Sequence, residues 1–164
     1  MLISLVQGNC FLFLPKKSEV KKSVFILCLM LHVAGFAQEW NSDLEVAKKK
    51  AAIENKNILL VFSGSDWCAR CMEMEKTVWQ SEAFKTESKK HWVLLRADFL
   101  QKKGVPDPVD VNDPKMILTE KYNRDGFFPF FVVLDKFGKV IAKSGFEDLA
   151  TAEDYISLFK KLER

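Results

Sequence analysis

Residues 58–62, Ile-Leu-Leu-Val-Phe, form an unbroken apolar run that stops at Ser63-Gly64-Ser65, and the stretch from Trp67 to about Lys89 that follows contains neither glycine nor proline. A short run without polar alternation is the pattern of a strand buried on both faces, so this strand needs a layer packed on each side. The stretch after it is rich in helix formers and predicts one helix, or two broken near Ser81. A second apolar run, Trp92 to Phe99, then returns as a strand. Strand, helix and strand in that order imply a parallel crossover, which points to the α/β class.

The flanking sequence fits that frame. Trp40, Leu44, Ala47, Ala51 and Ala52 recur at helical spacing within Glu39–Asn55 and predict an amphipathic first helix. Leu100 to Lys115 carries Gly104, Pro106, Pro108 and Pro114, which is loop chemistry, and connections of that length often border functional surfaces. Met116–Tyr122 reads as a short helix. Phe130–Asp135, a Lys136-Phe-Gly-Lys139 turn and Val140–Lys143 make a hairpin. Ala152, Tyr155, Ile156, Phe159 and Leu162 give Thr151–Leu162 the stripe of a closing amphipathic helix. The expected architecture is a central mixed β-sheet flanked by helices on both faces, with no internal repeat or low-complexity tract.

The first 37 of the 164 residues read differently. Lys16, Lys17, Lys21 and Lys22 precede a nearly uncharged run from Ser23 to Val33, which ends in Ala34-Gly-Phe-Ala37. A positive segment, an apolar segment and a small-residue site in that order predict a secretory leader at 1–37 with cleavage after Ala37, leaving a domain at 38–164. The run falls short of the roughly 20 residues that span a bilayer, so contact with a membrane is expected only through the leader. Met1–Leu14 is an additional apolar patch ahead of the lysines, and a true start near Val20 is one reading of it. The leader takes four of 25 basic and one of 22 acidic residues, so 21 of each remain. A neutral mature chain gives no ground for a nucleic-acid partner. Cys10 and Cys28 leave with the leader, and Cys68 and Cys71 remain. Two cysteines are too few for a disulfide framework.

Cys68 and Cys71 lie three residues apart at the strand-to-helix junction, in Ser65-Asp66-Trp67-Cys68-Ala69-Arg70-Cys71. Residues i and i+3 on a first helical turn share a face at about 5–6 Å, within reach of a disulfide that opens and closes reversibly. Unpaired backbone N–H groups at the helix start favour a thiolate at Cys68, the expected nucleophile. Arg70 adds positive charge, and Asp66 either opposes it or caps the helix. Cys71, one turn inside, is the expected resolving thiol.

From Ile58 to Cys71, Leu-Leu-Val-Phe followed by Trp-Cys-Ala-Arg-Cys, the chain resembles the active-site region of the thioredoxin family, and Gly126-Phe-Phe-Pro129-Phe with Val-Val-Leu-Asp-Lys-Phe-Gly-Lys139 resembles its later landmark. The resemblance covers about residues 40 to 163. It implies a thioredoxin-like fold and thiol-disulfide oxidoreductase activity on protein thiols and disulfides in a periplasmic or otherwise secreted setting, with no cofactor beyond the redox-active Cys68–Cys71 pair. By the same resemblance Pro129 is in a cis peptide bond, and Phe128 and Phe130 are held open for a partner's extended chain. Trp67 is expected to be exposed, within an apolar rim that includes Phe127.

Three departures from the family pattern stand out. Phe62 occupies the position of a buried aspartate, and Glu75 is either its substitute or a structural side chain. Ala69-Arg70 replaces Gly-Pro between the cysteines, leaving the direction of electron flow open. The Leu100–Lys115 connection is longer. A reductase in a disulfide-favouring compartment would need a membrane electron donor. Two other classes fit less of the pattern: a copper metallochaperone, raised by Met72 and Met74 beside the cysteines, and a non-catalytic binding module. Zinc is disfavoured, because Cys68, Cys71 and His91 are short of four ligands.

Overall fold

The computed structural model describes residues 38–101, 110 and 112–164. The leader at 1–37, with its cleavage motif, and residues 102–109 and 111 of the proline-rich connection lie outside the described residues. In chain order the elements are β1 (Trp40–Asn41), α1 (Leu44–Glu54), β2 (Asn57–Ser63), α2 (Ala69–Met74) running into a π-helical turn (Glu75–Trp79), α3 (Glu82–His91), β3 (Trp92–Asp98), α4 (Pro114–Tyr122), β4 (Phe130–Leu134), β5 (Val140–Gly145) and α5 (Ala152–Leu162). The sheet order is β1-β3-β2-β4-β5. β3 runs parallel to β1 and β2, while β4 is antiparallel to both β2 and β5. This is the mixed α/β sheet that the sequence pattern implies.

β2 is central, and Ile58 to Phe62 are fully buried. Its residues alternate between two cores. Leu59 and Val61 join Met74, Trp79, Phe84, Phe131 and Phe159 beneath α2, α3 and α5. Ile58, Leu60 and Phe62 join Ala47, Ala51, Leu118 and Tyr122 beneath α1 and α4. Each fully buried Leu, Ile, Val, Phe or Met among these contributes about 1.5–3 kcal/mol on leaving water, which fixes β2 and therefore the loop at its end.

The helix breaks have local causes. Ser81 accepts from Phe84 N at 3.1 Å and restarts the chain as α3, so the Trp67–Lys89 stretch does divide near Ser81. The π-helical turn inserts an extra residue that sends both Val78 and Trp79 into the core. α1 starts later than the apolar spacing predicts. Asp43 accepts from Val46 N at 2.8 Å and makes Leu44 the first helical residue, whereas Trp40 lies on an edge strand opposite Leu94. Trp40 meets Trp79 edge-on at 5.7 Å. Likewise α4 begins at Pro114, a residue suited to the first helical position, so the connection ends at Asp113.

α3 and α5 are joined at the surface by Glu87, which accepts from Lys160 at 2.5 Å and Lys90 at 2.7 Å, with His91 Nε2 at 3.4 Å. The Lys160 hydrogen bond, followed by the one from Lys90, holds the Glu87 carboxyl down at about 2. A carboxyl depressed on folding stabilises the fold above its ordinary value of 4.5, and that contribution disappears as pH falls toward 2. In thermal melts Glu87→Gln should lower Tm slightly at neutral pH and match the parent near pH 2. The exposed position and salt screening keep the difference small.

Candidate active site

The end of β2 leads into a loop stitched to the end of β3. Ser65 N and Oγ donate to the Asp98 carboxylate at 2.9 and 2.6 Å, and Phe99 N donates to Ser63 O at 2.8 Å. Asp66 accepts from Gln101 N at 3.0 Å. These bonds fix the backbone just before α2. Asp66 therefore does not cap the helix, because its carboxylate is committed to the connection after β3. Cys68 itself occupies the N-cap position, where its sulfur accepts from Cys71 N at 3.3 Å.

Cys68 and Cys71 form a disulfide with Cα atoms 5.2 Å apart. The two sulfurs differ in setting. Cys68 is 9% exposed, whereas Cys71 is 2% exposed and accepts from Gly64 N at 3.5 Å. Cys68 is therefore the more accessible of the two sulfurs. Positive potential from α2 and its π-helical continuation meets the chain at Cys68.

Trp67 forms the rim, 39% exposed. Its Nε1 donates to Phe99 O at 2.6 Å, and its ring meets Phe128 edge-on at 5.5 Å. The indole lies so close to Gly64 that a Cβ there would fall 2.3 Å from the ring, so only glycine admits this placement. Phe128 also meets Phe99 at 5.4 Å, and Phe127 is 57% exposed beside Phe130. Phe128–Pro129 is a cis peptide bond. Phe130, the first residue of β4, pairs with Phe62 across the ladder and packs on it at 6.4 Å. The structure thus brings Phe128 against Trp67, the residue before Cys68, while Phe130 packs from the core side.

Phe62 is completely buried among apolar neighbours, so no carboxylate stands at its position. Glu75 accepts from Arg96 at 2.9 Å, and that guanidinium lies 4.0 Å over the Trp40 ring; Glu75 is a half-buried ion-pair partner. Arg70 is tied as well, with Glu73 at 3.4 Å, Asp148 at 3.9 Å and its guanidinium 4.9 Å over Phe146. Met74 belongs to the core, whereas Met72 is exposed. Among the described residues no group of three or more His, Cys, Asp or Glu side chains is arranged to hold a metal ion.

Sequence reasoning missed Asp98 and Asn123. Buried Asn123 donates to Phe127 O at 2.9 Å and accepts from Phe127 N at 3.1 Å, holding the segment that enters the cis bond. An asparagine ending a helix shortly before Gly126 was the available signal.

A family model described as thioredoxin-like matches residues 39–136, which contain the strand, both cysteines and the cis proline. The chain belongs to the thioredoxin-like family. Within it, the chain is 34% identical over 115 residues to a disulfide bond reductase, DsbH, of Chlamydia pneumoniae, covering 70% of this chain and 67% of that protein. A solved DsbH oxidoreductase superposes with a TM-score of 0.65 at 32% identity, over 76% of this chain and 83% of the other. A disulphide isomerase from Xylella fastidiosa Temecula1 shares the thioredoxin-like fold with a TM-score of 0.53 at 22% identity, over 74% and 88%. With its Cys68–Cys71 disulfide, this thioredoxin-like chain is a thiol-disulfide oxidoreductase.

Proposed function

We propose that the mature domain, residues 38–164, is an extracytoplasmic reductase of protein disulfides, with Cys68 attacking and Cys71 resolving. The observation that carries the site assignment is the asymmetry of the pair: Cys68 is 9% exposed beside the rim residue Trp67, whereas Cys71, one turn inside, is 2% exposed. The Cys68 thiolate attacks one sulfur of a partner disulfide, forming a mixed disulfide and releasing the other sulfur as a thiolate that takes up a proton. Cys71, having lost its proton, attacks the Cys68 sulfur, forms the Cys68–Cys71 disulfide and frees the second partner thiol. Two electrons pass to the partner.

Support for the reductive direction is the 34% identical relative named as a disulfide bond reductase. Support for the location is the order of charge, apolar run and small residues in the leader. A reductase outside the cytoplasm needs a source of electrons, and a dithiol protein at the membrane is the class that supplies them. Among the described residues no helix is long and apolar enough to cross a membrane. The Trp67, Phe127 and Phe128 rim is the surface on which a partner's extended segment would lie, beside the cis Phe128–Pro129 bond.

The test is the reduction potential of the Cys68–Cys71 couple in the mature domain, equilibrated against glutathione or dithiothreitol with thiols counted by mass spectrometry. A value near about −270 mV supports the reductase, and one near about −120 mV replaces it with an oxidase. Failure to form the intramolecular disulfide would remove the redox reading of the site. Export of the full chain from a bacterial host with a new N-terminus at Gln38 tests the leader, and an uncleaved cytoplasmic product would refute it.

A further inference from the structure

Arg70 stands between the two cysteines in sequence, at an exposed position on the first turn of α2, where an arginine with a single acidic neighbour at i+3 would sample many rotamers. Its guanidinium is instead engaged from two parts of the chain. Glu73 of α2 lies at 3.4 Å, while the connection from β5 to α5 supplies the Phe146 ring at 4.9 Å and Asp148 at 3.9 Å. That connection is itself fixed. The Tyr155 hydroxyl donates to Glu147 O, Ser144 Oγ donates to Glu147 Oε1 at 3.3 Å, Leu149 N donates to Glu147 O at 2.9 Å, and Phe146 and Leu149 pack against the first core.

We propose that Phe146 and Asp148 are positioning residues for the redox centre: by holding Arg70 between a ring face and two carboxylates, they set how much of its positive charge reaches the Cys68 sulfur. This rests on the reading of Cys68 as the attacking thiol. Electrostatic interactions at a surface fall with distance and solvent screening, so an arginine pinned beside two carboxylates stabilises a neighbouring thiolate less than one released from them. The charged and titratable groups around this side of the centre are Arg70 and Glu73 on α2, Glu147 and Asp148 on the connection, Tyr155 on α5, and Asp66 in the preceding loop.

The experiment is the pH profile of iodoacetamide alkylation of the reduced mature domain, paired with its equilibrium against glutathione. Asp148→Asn, at an exposed loop position that tolerates the change, should move the half-maximal alkylation rate to lower pH. It should also favour the dithiol form about threefold, because less neutralised positive charge stabilises the thiolate. Phe146→Ala, which changes no charge, should also move the profile. Both effects should shrink sharply in an Arg70→Ala background. An unshifted Asp148→Asn profile overturns the proposal, as does an equal shift in the Arg70→Ala background, since Asp148 would then act on the sulfur directly. Cys68→Ser separates this from the underlying assignment. If the low-pH alkylation phase survives in that variant, the choice of nucleophile is wrong; if it vanishes while Asp148→Asn is silent, only the positioning role fails.

Discussion

Cys71→Ser should retain the fold, attack a partner disulfide once and stop, with the partner joined covalently to Cys68. Turnover in a disulfide-reduction assay should fall by at least about three orders of magnitude, because the group that breaks the mixed disulfide is gone. A non-reducing gel resolves the adduct, and dithiothreitol should release it. Cys68→Ser should lose turnover equally but accumulate no adduct, since buried Cys71 is poorly placed to attack an external sulfur. An adduct formed in Cys68→Ser and absent in Cys71→Ser would reverse the assigned roles. The pair of outcomes reads the burial difference directly as chemistry.

The second large effect is on stability. Phe159 is fully buried on α5 and stacks on Trp79 at 5.9 Å, with further ring contacts to Phe131 at 5.2 Å, Trp92 at 6.0 Å and Phe84 at 6.4 Å. It ties the closing helix to α3, β3 and β4 at once. Phe159→Ala removes the ring's transfer free energy, leaves a cavity that rigid aromatic neighbours fill poorly, and forfeits edge and stacking contacts. The expected loss is about 3–5 kcal/mol, a large share of the roughly 5–15 kcal/mol that holds an ordinary domain folded. Urea unfolding should show a lower midpoint with an unchanged slope. A loss under about 1 kcal/mol would mean that α5 does not depend on this contact.

Much of this architecture was legible in the sequence because burial on both faces leaves an uninterrupted apolar run. β2, β3 and the hairpin of β4 and β5 each carry such a run or a turn of fixed chemistry, and the Ser81 break follows from one side chain's preference for an N-cap. Features that depend on contacts between distant segments were not legible. Trp40 sits at a spacing that suits a helix, yet its partners are Leu94, Trp79 and Arg96, and two residues of edge strand leave no periodic trace. Asp66 reads as a cap from its place before the cysteines, but Gln101 claims its carboxylate from the far side of β3. The cysteines and Pro129 were found through local pattern and family resemblance. Asp98 and the Phe146 and Asp148 partners of Arg70 required the fold, because each acts across a gap in sequence that no spacing rule spans, whereas Asn123 acts locally on Phe127 four residues on.

The sheet ends unequally, and this bears on handling the protein in concentrated solution. β1 offers a neighbouring chain only two residues. β5 is six residues long, outermost in the sheet, and carries partly exposed Val140 and Ile141 beyond the exposed Phe137. An open edge of that kind is where a second molecule's strand can add, and aggregation would begin there rather than at the redox centre. Irregular pairing between Val133 and Leu134 opposite this strand, together with Gly145 at its end, works against such growth by spoiling the flat template that a stacking strand requires.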